Sequence, residues 1–192
     1  MVNLVVGLTG TLASGKETIK ETLSRNFNSY YVTLSSVIKA EFQKRRKDFS
    51  RRTLQDMGNE LRAKYGNFIL AKLATDYLQR DKEMIIVDGI RNPEEAEYLR
   101  KTFGRKFTLI AVDAPREIRW ERIKGRAREG DPKTWEEFVV LDDRDQGIGE
   151  DLHGQQVRRC IEMADVIVMN DDNIDQLKEK INSIVSSLKS ND

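Results

Sequence analysis

Residues 7–18 read GLTGTLASGKET. Gly10 and Gly15 stand five residues apart and Lys16 follows, which is the spacing of a loop that binds nucleotide phosphates. The glycines let backbone N–H groups wrap phosphate oxygens, and the lysine supplies a positive charge toward the β and γ phosphates. The next residue is normally Ser or Thr, whose hydroxyl holds Mg²⁺, but here it is Glu17, and Thr18 comes one position later. The stretch predicts a phosphate-binding loop with an unusual end.

The surrounding sequence supports this interpretation, because short apolar runs alternate with longer amphipathic stretches, as in βαβ units. The pattern predicts strands at 4–9, 30–34, 84–88, 108–113 and 166–170. It predicts helices at about 15–26, 35–47, 52–79, 93–102, 115–125, 134–142, 155–163 and 173–189. We therefore expect a three-layer α/β P-loop domain with a parallel five-stranded sheet. The loop would join the first strand to the first helix.

Length and composition limit the remaining possibilities. The chain has 192 residues, of which 39% are hydrophobic, and this suits a single domain over residues 1–192. Its net charge of +1 gives no general attraction to nucleic acid or membranes. One cysteine and one histidine exclude an intrachain disulfide and a Cys/His zinc site. The low cysteine content makes a reducing cytosol the expected compartment, and the apolar N-terminal run is too short for a membrane span. We expect a cytoplasmic protein whose partner is a small-molecule phosphate acceptor. Its oligomeric state stays open.

A second motif, MIIVDGIR at 84–91, places an acid at the end of a predicted buried strand. Carboxyl ends of strands form the ligand-binding edge of an α/β sheet, so Asp88 is a candidate to hold Mg²⁺ through water. Asp113, at the end of LIAVD, is a rival of the same pattern, and either acid could merely cap a turn. Arg91 follows Asp88 closely and offers a guanidinium for bidentate phosphate binding.

The third motif, RWERIKGRARE at 119–129, carries Arg119, Arg122 and Arg126 at helical spacing. The stretch that follows is rich in charge and glycine, and we expect a small lid at about 126–150. A salt-bridged surface helix is the alternative, especially for Arg119, which has Glu117 and Glu121 nearby.

The fourth motif, KRRKDFSRRTLQDMGNELRAKYG at 44–66, places Arg52, Gln55, Asn59 and Arg62 on one helical face. That face could bind a phosphate acceptor, with an arginine on its phosphate and the amides on its base. The acceptor-binding segment would span about 35–80. A solvated basic face is the alternative interpretation.

These motifs resemble those of known P-loop kinases. GLTGTLASGK resembles the loop of dephospho-CoA kinases, and GKET resembles the GK-x-T ending of nucleoside and deoxynucleoside monophosphate kinases. The turn at Asp88 is similar to their DG-x-R turn, which holds acceptor phosphate. RIKGR resembles the lid entrance of adenylate kinases, and the segment from Arg52 resembles phage-type deoxynucleoside monophosphate kinases and related archaeal kinase-like proteins.

The resemblance implies particular roles for these residues. Thr18 would place its hydroxyl near phosphate and metal, Arg122 would lie by the base, and Arg126 would reach phosphate. Arg144, in LDDRDQGIGE, would be a further transfer-site arginine. Glu17 would face either solvent, where an acid suits the helix dipole, or the metal.

We therefore expect transfer of phosphate from ATP, with Mg²⁺, to a nucleoside or deoxynucleoside monophosphate. The alternatives are a dephospho-CoA kinase and, in another class, a nucleotide-binding regulatory protein or ATPase without a small acceptor. The expected catalytic residues are Lys16, Asp88, Arg126 and Arg144. The expected nucleotide-binding residues are Gly10, Ser14, Gly15, Lys16, Glu17, Thr18 and Arg122, and the expected acceptor-binding residues are Arg52, Gln55, Arg62 and Arg91.

Overall fold

A computed structural model describes residues 2–43, 50–79, 81–126, 128, 130–171 and 174–190. In these residues the strands are β1 (Leu4–Gly10), β2 (Ser29–Thr33), β3 (Met84–Ile90), β4 (Phe107–Asp113) and β5 (Val166–Met169). The helices are α1 (Lys16–Asn26), α2 (Leu34–Phe42), α3 (Arg51–Tyr65), α4 (Ile69–Asp76), α5 (Pro93–Phe103), α6 (Arg116–Arg126), α7 (Trp135–Gln146), α8 (Val157–Glu162) and α9 (Ile174–Ser190). A short 3₁₀ turn, Gly104–Lys106, leads into β4.

All five strands are parallel, in the order β2-β3-β1-β4-β5. β1 is central, between β3 and β4, and helices connect successive strands along the chain, as parallel pairing requires. The register between β1 and β3 shifts after Asp88, which pairs with Leu8, because Gly89 is skipped and Ile90 pairs with Thr9. The ends of β1, β3 and β4 therefore meet at one edge of the sheet, beside the phosphate loop.

Alternate residues of the strands enter two separate cores, because successive side chains point to opposite faces of a sheet. On one face Val5, Ile85 and Val87 pack with α2, α3, α4, α5 and α8. On the other face Val6 and Ile86 pack with α1 and α9. The expected three-layer α/β architecture with a five-stranded parallel sheet is confirmed.

The predicted strands all occur, with bounds that differ by one or two residues. The single helix predicted at 52–79 is wrong, because α3 ends at Tyr65 and α4 begins at Ile69. Gly66 adopts a φ of 98° between them, which ends the first helix. The last residues of the helix predicted at 35–47, and the basic run at 44–47, lie outside the described residues.

Helices α6 and α7 form a small third cluster against the phosphate loop. Leu12 of the loop packs there with Ile123 and Phe138, and Trp120 and Trp135 cover them. The rings of Trp120 and Phe138 are stacked with centroids 5.6 Å apart. This packing couples the loop to the segment predicted as a lid. Within the part of the chain described, no helix has the length and apolar character needed to cross a membrane.

Candidate active site

The phosphate loop runs from the end of β1 into α1 and depends on two glycines with positive φ. Gly10 has a φ of 137° and Gly15 a φ of 107°. A Cβ at Gly10 would overlap the carbonyl oxygen of Val112, and one at Gly15 would overlap the side-chain amide of Asn170. Both positions therefore exclude side chains on conformational and steric grounds.

Side chains from β4, α6 and the end of β5 hold the loop in place. Thr11 donates its hydroxyl to Asp113 at 2.8 Å. The carbonyl of Ser14 accepts hydrogen bonds from the Asn170 amide at 2.7 Å and from Arg122 at 3.3 Å. Arg122 donates at the same time to the carbonyl of Asn170 at 2.9 Å. The structure thus places Arg122 against the loop backbone, where it braces the loop on the end of β5.

The Lys16 side chain folds back over the loop that carries it. Its Nζ donates to the carbonyl oxygens of Gly10 and Thr11 at 2.7 and 2.8 Å. Burial lowers the pKa of Lys16 to about 8, although the nearby Asp88 carboxylate opposes this shift. The ammonium group therefore sits in a desolvated position at the mouth of the loop. A phosphate there would strengthen its protonated form.

Asp88 and Asp113 have different surroundings, although their sequence patterns are alike. Asp113 accepts hydrogen bonds from Thr11 and from the backbone N–H of Ala114, so it fastens the loop. Asp88 accepts one hydrogen bond at Oδ2, from the Tyr31 hydroxyl at 2.8 Å. Its Oδ1 is buried and has no hydrogen-bond partner among the described residues. A buried carboxylate oxygen without a partner indicates a place for a water, an ion or a ligand.

The two residues at the end of the loop motif lie on the first turn of α1. Glu17 is exposed, and its carboxylate forms an ion pair with Lys20. The Thr18 backbone N–H donates to the carbonyl of Gly15 at 3.1 Å. Among the described residues, no cluster of three or more His, Cys, Asp or Glu side chains has the arrangement of a metal site. Any Mg²⁺ here would depend on few protein ligands and on the nucleotide phosphates.

A cavity of about 760 Å³ lies beside the loop, between α2, α3, the end of β3 and the start of the predicted lid. Its walls combine aliphatic and basic side chains. The aliphatic residues are Leu34, Ile38, Leu54 and Leu70, and the arginines are Arg51, Arg62, Arg91, Arg126 and Arg128. The remaining lining residues are Ser35, Ser50, Gln55, Gly58, Gly89, Gly130, Asp131 and Gln155.

Asp145 organises one end of this cavity, although the sequence patterns did not single it out. Its buried carboxylate forms an ion pair with Arg51, a second with Arg91 at 2.9 Å, and a hydrogen bond with Gln55 at 2.5 Å. Burial alone would raise the pKa of Asp145, but Arg51 and Arg91 hold it well below its usual value. Arg91 is also held by Gln155 at 3.0 Å. Two arginines are thereby fixed side by side at the cavity wall.

The predicted acceptor helix contributes a different arginine from the one expected. Arg52 is exposed and does not line the cavity, whereas its neighbour Arg51 does. Gln55 lines the cavity. Arg62 lines it too, but its guanidinium is buried and paired with Glu95 at 2.8 Å and with Asn59 at 3.2 Å. The positions of α3 at the cavity are therefore 51, 54, 55, 58 and 62, which share one helical face with a spacing of three and four.

The two arginines of the predicted lid also differ in position. Arg126 lines the cavity and forms two 2.7 Å hydrogen bonds to Asp131. Arg144 does not line it, because Asp56 and Glu150 each hold its guanidinium at 2.7 Å. The structure therefore brings Lys16, Asp88, Arg91 and Arg126 to one edge of the sheet and leaves Arg144 outside.

Arg119 forms a salt bridge, as the alternative interpretation of its motif predicted, but this salt bridge is buried and not on the surface. It pairs with Asp142 of α7, which is also buried, and donates to the carbonyls of Ala114 and Leu12. Arg119 therefore joins α6 and α7 to the phosphate loop.

Comparison with known proteins identifies the family. The sequence profile of the family described as AAA domain matches residues 6–143. A UPF0200 protein of Thermococcus gammatolerans is 30% identical over 190 residues, covering 96% of this chain and 95% of the relative. A UPF0200 protein of Methanocaldococcus jannaschii is 29% identical over 191 residues, covering 98% and 92%. The chain therefore belongs to the AAA domain family by its profile and to the UPF0200 family by its relatives.

Solved structures show the same fold. A gluconokinase from Sinorhizobium meliloti matches with a TM-score of 0.55 and 12% identity, covering 98% of this chain and 95% of that one. A shikimate kinase from Aquifex aeolicus matches with a TM-score of 0.50 and 22% identity, covering 98% of each chain. The protein thus has the fold of P-loop kinases, as its motifs predicted.

Proposed function

We propose that this member of the UPF0200 family is a phosphotransferase that moves the γ-phosphoryl group of ATP to a nucleoside or deoxynucleoside monophosphate. The observation that carries the proposal is the arginine-lined cavity beside the phosphate loop. A P-loop kinase needs a second anion site opposite its loop, and phosphoryl transfer is assisted mainly by positioning and fixed positive charge.

The charges of the cavity favour an acceptor that carries a phosphate. Among the described lining residues, five arginines stand against Asp131, and the buried Asp145 and Glu95 lie directly behind them. Five positive charges against three negative charges leave an excess of two. A phosphate monoester, with a charge of about −1.5 to −2 at neutral pH, balances this excess. A hydroxy acid with one carboxylate, the class suggested by the names gluconokinase and shikimate kinase, would leave part of it unbalanced.

Each end of the acceptor has a matching surface. Arg51 and Arg91, held side by side by Asp145, would bind the acceptor phosphate in a bidentate manner. Leu34, Ile38 and Leu54 offer an aliphatic wall to a base, and Gln55 offers an amide at its edge. Arg62 would support this face through its pair with Glu95 and not bind phosphate directly.

On the donor side, the backbone of Gly10, Ser14 and Gly15 would surround the ATP phosphates, and Lys16 would follow the transferred group. Mg²⁺, when bound with ATP, supplies charge neutralisation of the phosphates. Asp88, through water, and the Thr18 hydroxyl would hold it. The unpartnered Oδ1 of Asp88 fits this role, because it is buried beside Lys16 and aligned by Tyr31.

The segment 126–150 would act as a lid within the single domain 1–192, over an acceptor-binding segment at about 35–80. Arg126 would stabilise the transferring phosphoryl group after exchanging Asp131 for phosphate oxygens. Arg144 would contact the phosphoryl group only after leaving Asp56 and Glu150, so its contribution to transfer would be smaller than that of Arg126. Closure would exclude water from the reacting phosphates.

A substrate screen tests the proposal. Purified protein would be incubated with ATP and Mg²⁺ and with single nucleoside monophosphates, deoxynucleoside monophosphates, dephospho-CoA, gluconate or shikimate, and the products would be separated. We expect a nucleoside diphosphate to form in step with ADP. Transfer to dephospho-CoA alone would favour the alternative kinase. Equal ADP formation with and without every acceptor would favour an ATPase or a regulatory protein.

Lys16→Ala provides the matched variant for the same assay. Removing this charge at the transferred phosphate should lower turnover by about a hundredfold or more. The exposed Lys72→Ala on α4 serves as the control and should leave turnover unchanged. Full activity of Lys16→Ala, with a normal unfolding curve, would contradict transfer at this loop.

A further inference from the structure

Four polar side chains connect the unusual end of the loop motif to Asp88. Glu17 and Lys20, one turn apart on α1, form an ion pair. The Nζ of Lys20 lies 4.9 Å from the centre of the Tyr31 ring, within the range of a cation–π contact. The Tyr31 hydroxyl donates to Asp88 Oδ2 at 2.8 Å. The sequence patterns singled out the two acids of this series, and the structure supplies the residues between them.

The sheet register explains why Tyr31 reaches Asp88. Tyr31 of β2 pairs with Ile86 of β3, two residues before Asp88, so all three side chains point to the same face of the sheet. A diagonal neighbour on the adjacent strand lies about 7–8 Å away, which an aromatic side chain can span. Helix α1 covers that face and brings Lys20 over the ring.

The hydrogen bond from Tyr31 fixes the orientation of the Asp88 carboxylate, which the position of Asp88 on β3 alone does not determine. A carboxylate fixed through one oxygen has its second oxygen aimed in one direction. Here Oδ1 is buried without a partner among the described residues. The Asp88 carboxylate opposes the lowering of the pKa of Lys16, so it lies near the ammonium at the mouth of the phosphate loop.

We propose that Tyr31 is a positioning residue for magnesium: its hydroxyl fixes the Asp88 carboxylate so that Oδ1 meets the hydration shell of the ion bound with the nucleotide. Lys20, held by its ion pair with Glu17, keeps the ring of Tyr31 in the position from which its hydroxyl reaches Asp88. The inference rests on the proposed phosphotransferase function and extends it to a residue outside the recognised motifs. It also gives Glu17 an indirect role, through Lys20, at the position where other loops carry a direct magnesium ligand.

The Tyr31 phenol donates a single hydrogen bond, and the ordinary pKa of a tyrosine, about 10, keeps the hydroxyl protonated at neutral pH. Tyr31→Phe removes this one donor and retains the ring that packs against the core of α1 and α9.

The test measures metal binding separately from turnover. Calorimetry would give the affinity for ADP without metal and then the affinity of the protein–ADP complex for Mg²⁺, with Mn²⁺ and its paramagnetic resonance as a second readout. Tyr31→Phe should leave metal-free ADP affinity unchanged and weaken the metal step by about tenfold, the lower end for loss of an outer partner of a metal ligand. Tyr30→Phe, on the opposite face of the same strand, should change neither.

A double-mutant cycle with Asp88→Asn separates positioning from a general structural effect. If Tyr31 acts through Asp88, Tyr31→Phe should cause little further loss in metal affinity once Asp88 is Asn. Additive losses, or unchanged metal affinity in Tyr31→Phe, would overturn the positioning role and leave the phosphotransferase standing. A wild-type protein whose ADP complex binds no Mg²⁺ would overturn both.

Discussion

Arg51 and Arg52 are adjacent in the first turn of α3 but differ in what they contact. Arg51 pairs with the buried Asp145 at the cavity wall, and Arg52 is exposed. Arg51→Ala should therefore raise the KM for the acceptor by about ten- to a hundredfold, which corresponds to the ~1.5–3 kcal/mol of a hydrogen bond to a charged group. The KM for ATP should stay within experimental error. Steady-state kinetics with each substrate varied in turn would measure both.

Arg52→Ala is the matched control, one residue away and of the same type. Arg52→Ala should leave both KM values unchanged, because the exposed Arg52 side chain does not line the cavity. If Arg52→Ala raised the acceptor KM and Arg51→Ala did not, the acceptor would bind on the other face of α3.

The lowered pKa of Lys16 predicts that nucleotide binding is coupled to proton uptake and so depends on pH. Burial lowers its pKa to about 8, so near that pH about half of the empty protein has a neutral Lys16. Because bound phosphates favour the ammonium form, ADP binding at pH 8 should take up as much as about half a proton, and almost none two units lower. Calorimetry in two buffers of different ionisation enthalpy measures this uptake. Lys16→Met should abolish it.

The lowered pKa of Lys16 also makes the free energy of unfolding rise with pH. Between pH 8 and 10.5 the unfolded chain binds more protons at Lys16 than the folded protein does. The penalty for burying this ammonium is therefore complete below pH 8 and fades as the pH rises toward 10.5. Heat-induced unfolding of wild type and Lys16→Met should converge over that interval. A difference that grew with pH would contradict the desolvated lysine.

At the scale of elements, the sequence predicted the strands and the order of helices better than it predicted which residues meet. Apolar runs identify buried strands locally, and the spacing of Gly10, Gly15 and Lys16 fixes the loop. The face of α3 was ambiguous because Arg51 and Arg52 both fit a helical spacing of three to four with Gln55. Asp145 could not be found locally, since its partner Arg51 lies 94 residues away.

The break between α3 and α4 shows a second limit of predicting structure from this sequence. The helical periodicity predicted one helix over 52–79, but residues 66–68, which begin with the positive φ of Gly66, separate two helices. A single glycine inside a helical pattern is compatible with a continuous helix or with a helix end, and tertiary packing decides between them. Here the turn lets α4 pack beside α2 and α5 and places Leu70 in the cavity wall.

The junction of α6 and α7 gives a prediction about stability. Asp142 is buried and accepts hydrogen bonds from Arg119 at 2.9 Å, Arg116 at 3.0 Å and Gln146 at 2.7 Å. Asp142→Ala leaves the buried Arg119 without its carboxylate, so the free energy of unfolding should fall by about 3–5 kcal/mol. Urea unfolding would measure it.

An exposed ion pair provides the comparison for that measurement. Glu21 and Arg25 lie 3.9 Å apart on the surface of α1. Glu21→Ala should change the free energy of unfolding by less than about 0.5 kcal/mol. Equal effects of Asp142→Ala and Glu21→Ala would show that the buried network does not hold α6 to α7.

At the scale of the whole molecule, the phosphate loop and the predicted lid share one small core. Leu12 of the loop packs with Ile123 and Phe138, and Arg119 donates to the Leu12 carbonyl. A nucleotide that reorganises the loop must therefore act on α6 and α7 as well. Both tryptophans of the chain, Trp120 and Trp135, cover this core, with ring centres 6.2 Å apart. They report on the coupling without any label.

Titration with ADP and Mg²⁺ should therefore change the tryptophan emission, with the same midpoint as the calorimetric binding curve. Under the proposed function a monophosphate acceptor would bind in the cavity beyond this core, so the acceptor alone should change the emission little. Trp120→Phe, which removes the ring stacked on Phe138, should remove most of the nucleotide signal while ADP affinity stays close to that of wild type. An emission change that followed the acceptor and not the nucleotide would show that the predicted lid responds to ligands in the cavity and is not coupled to the phosphate loop.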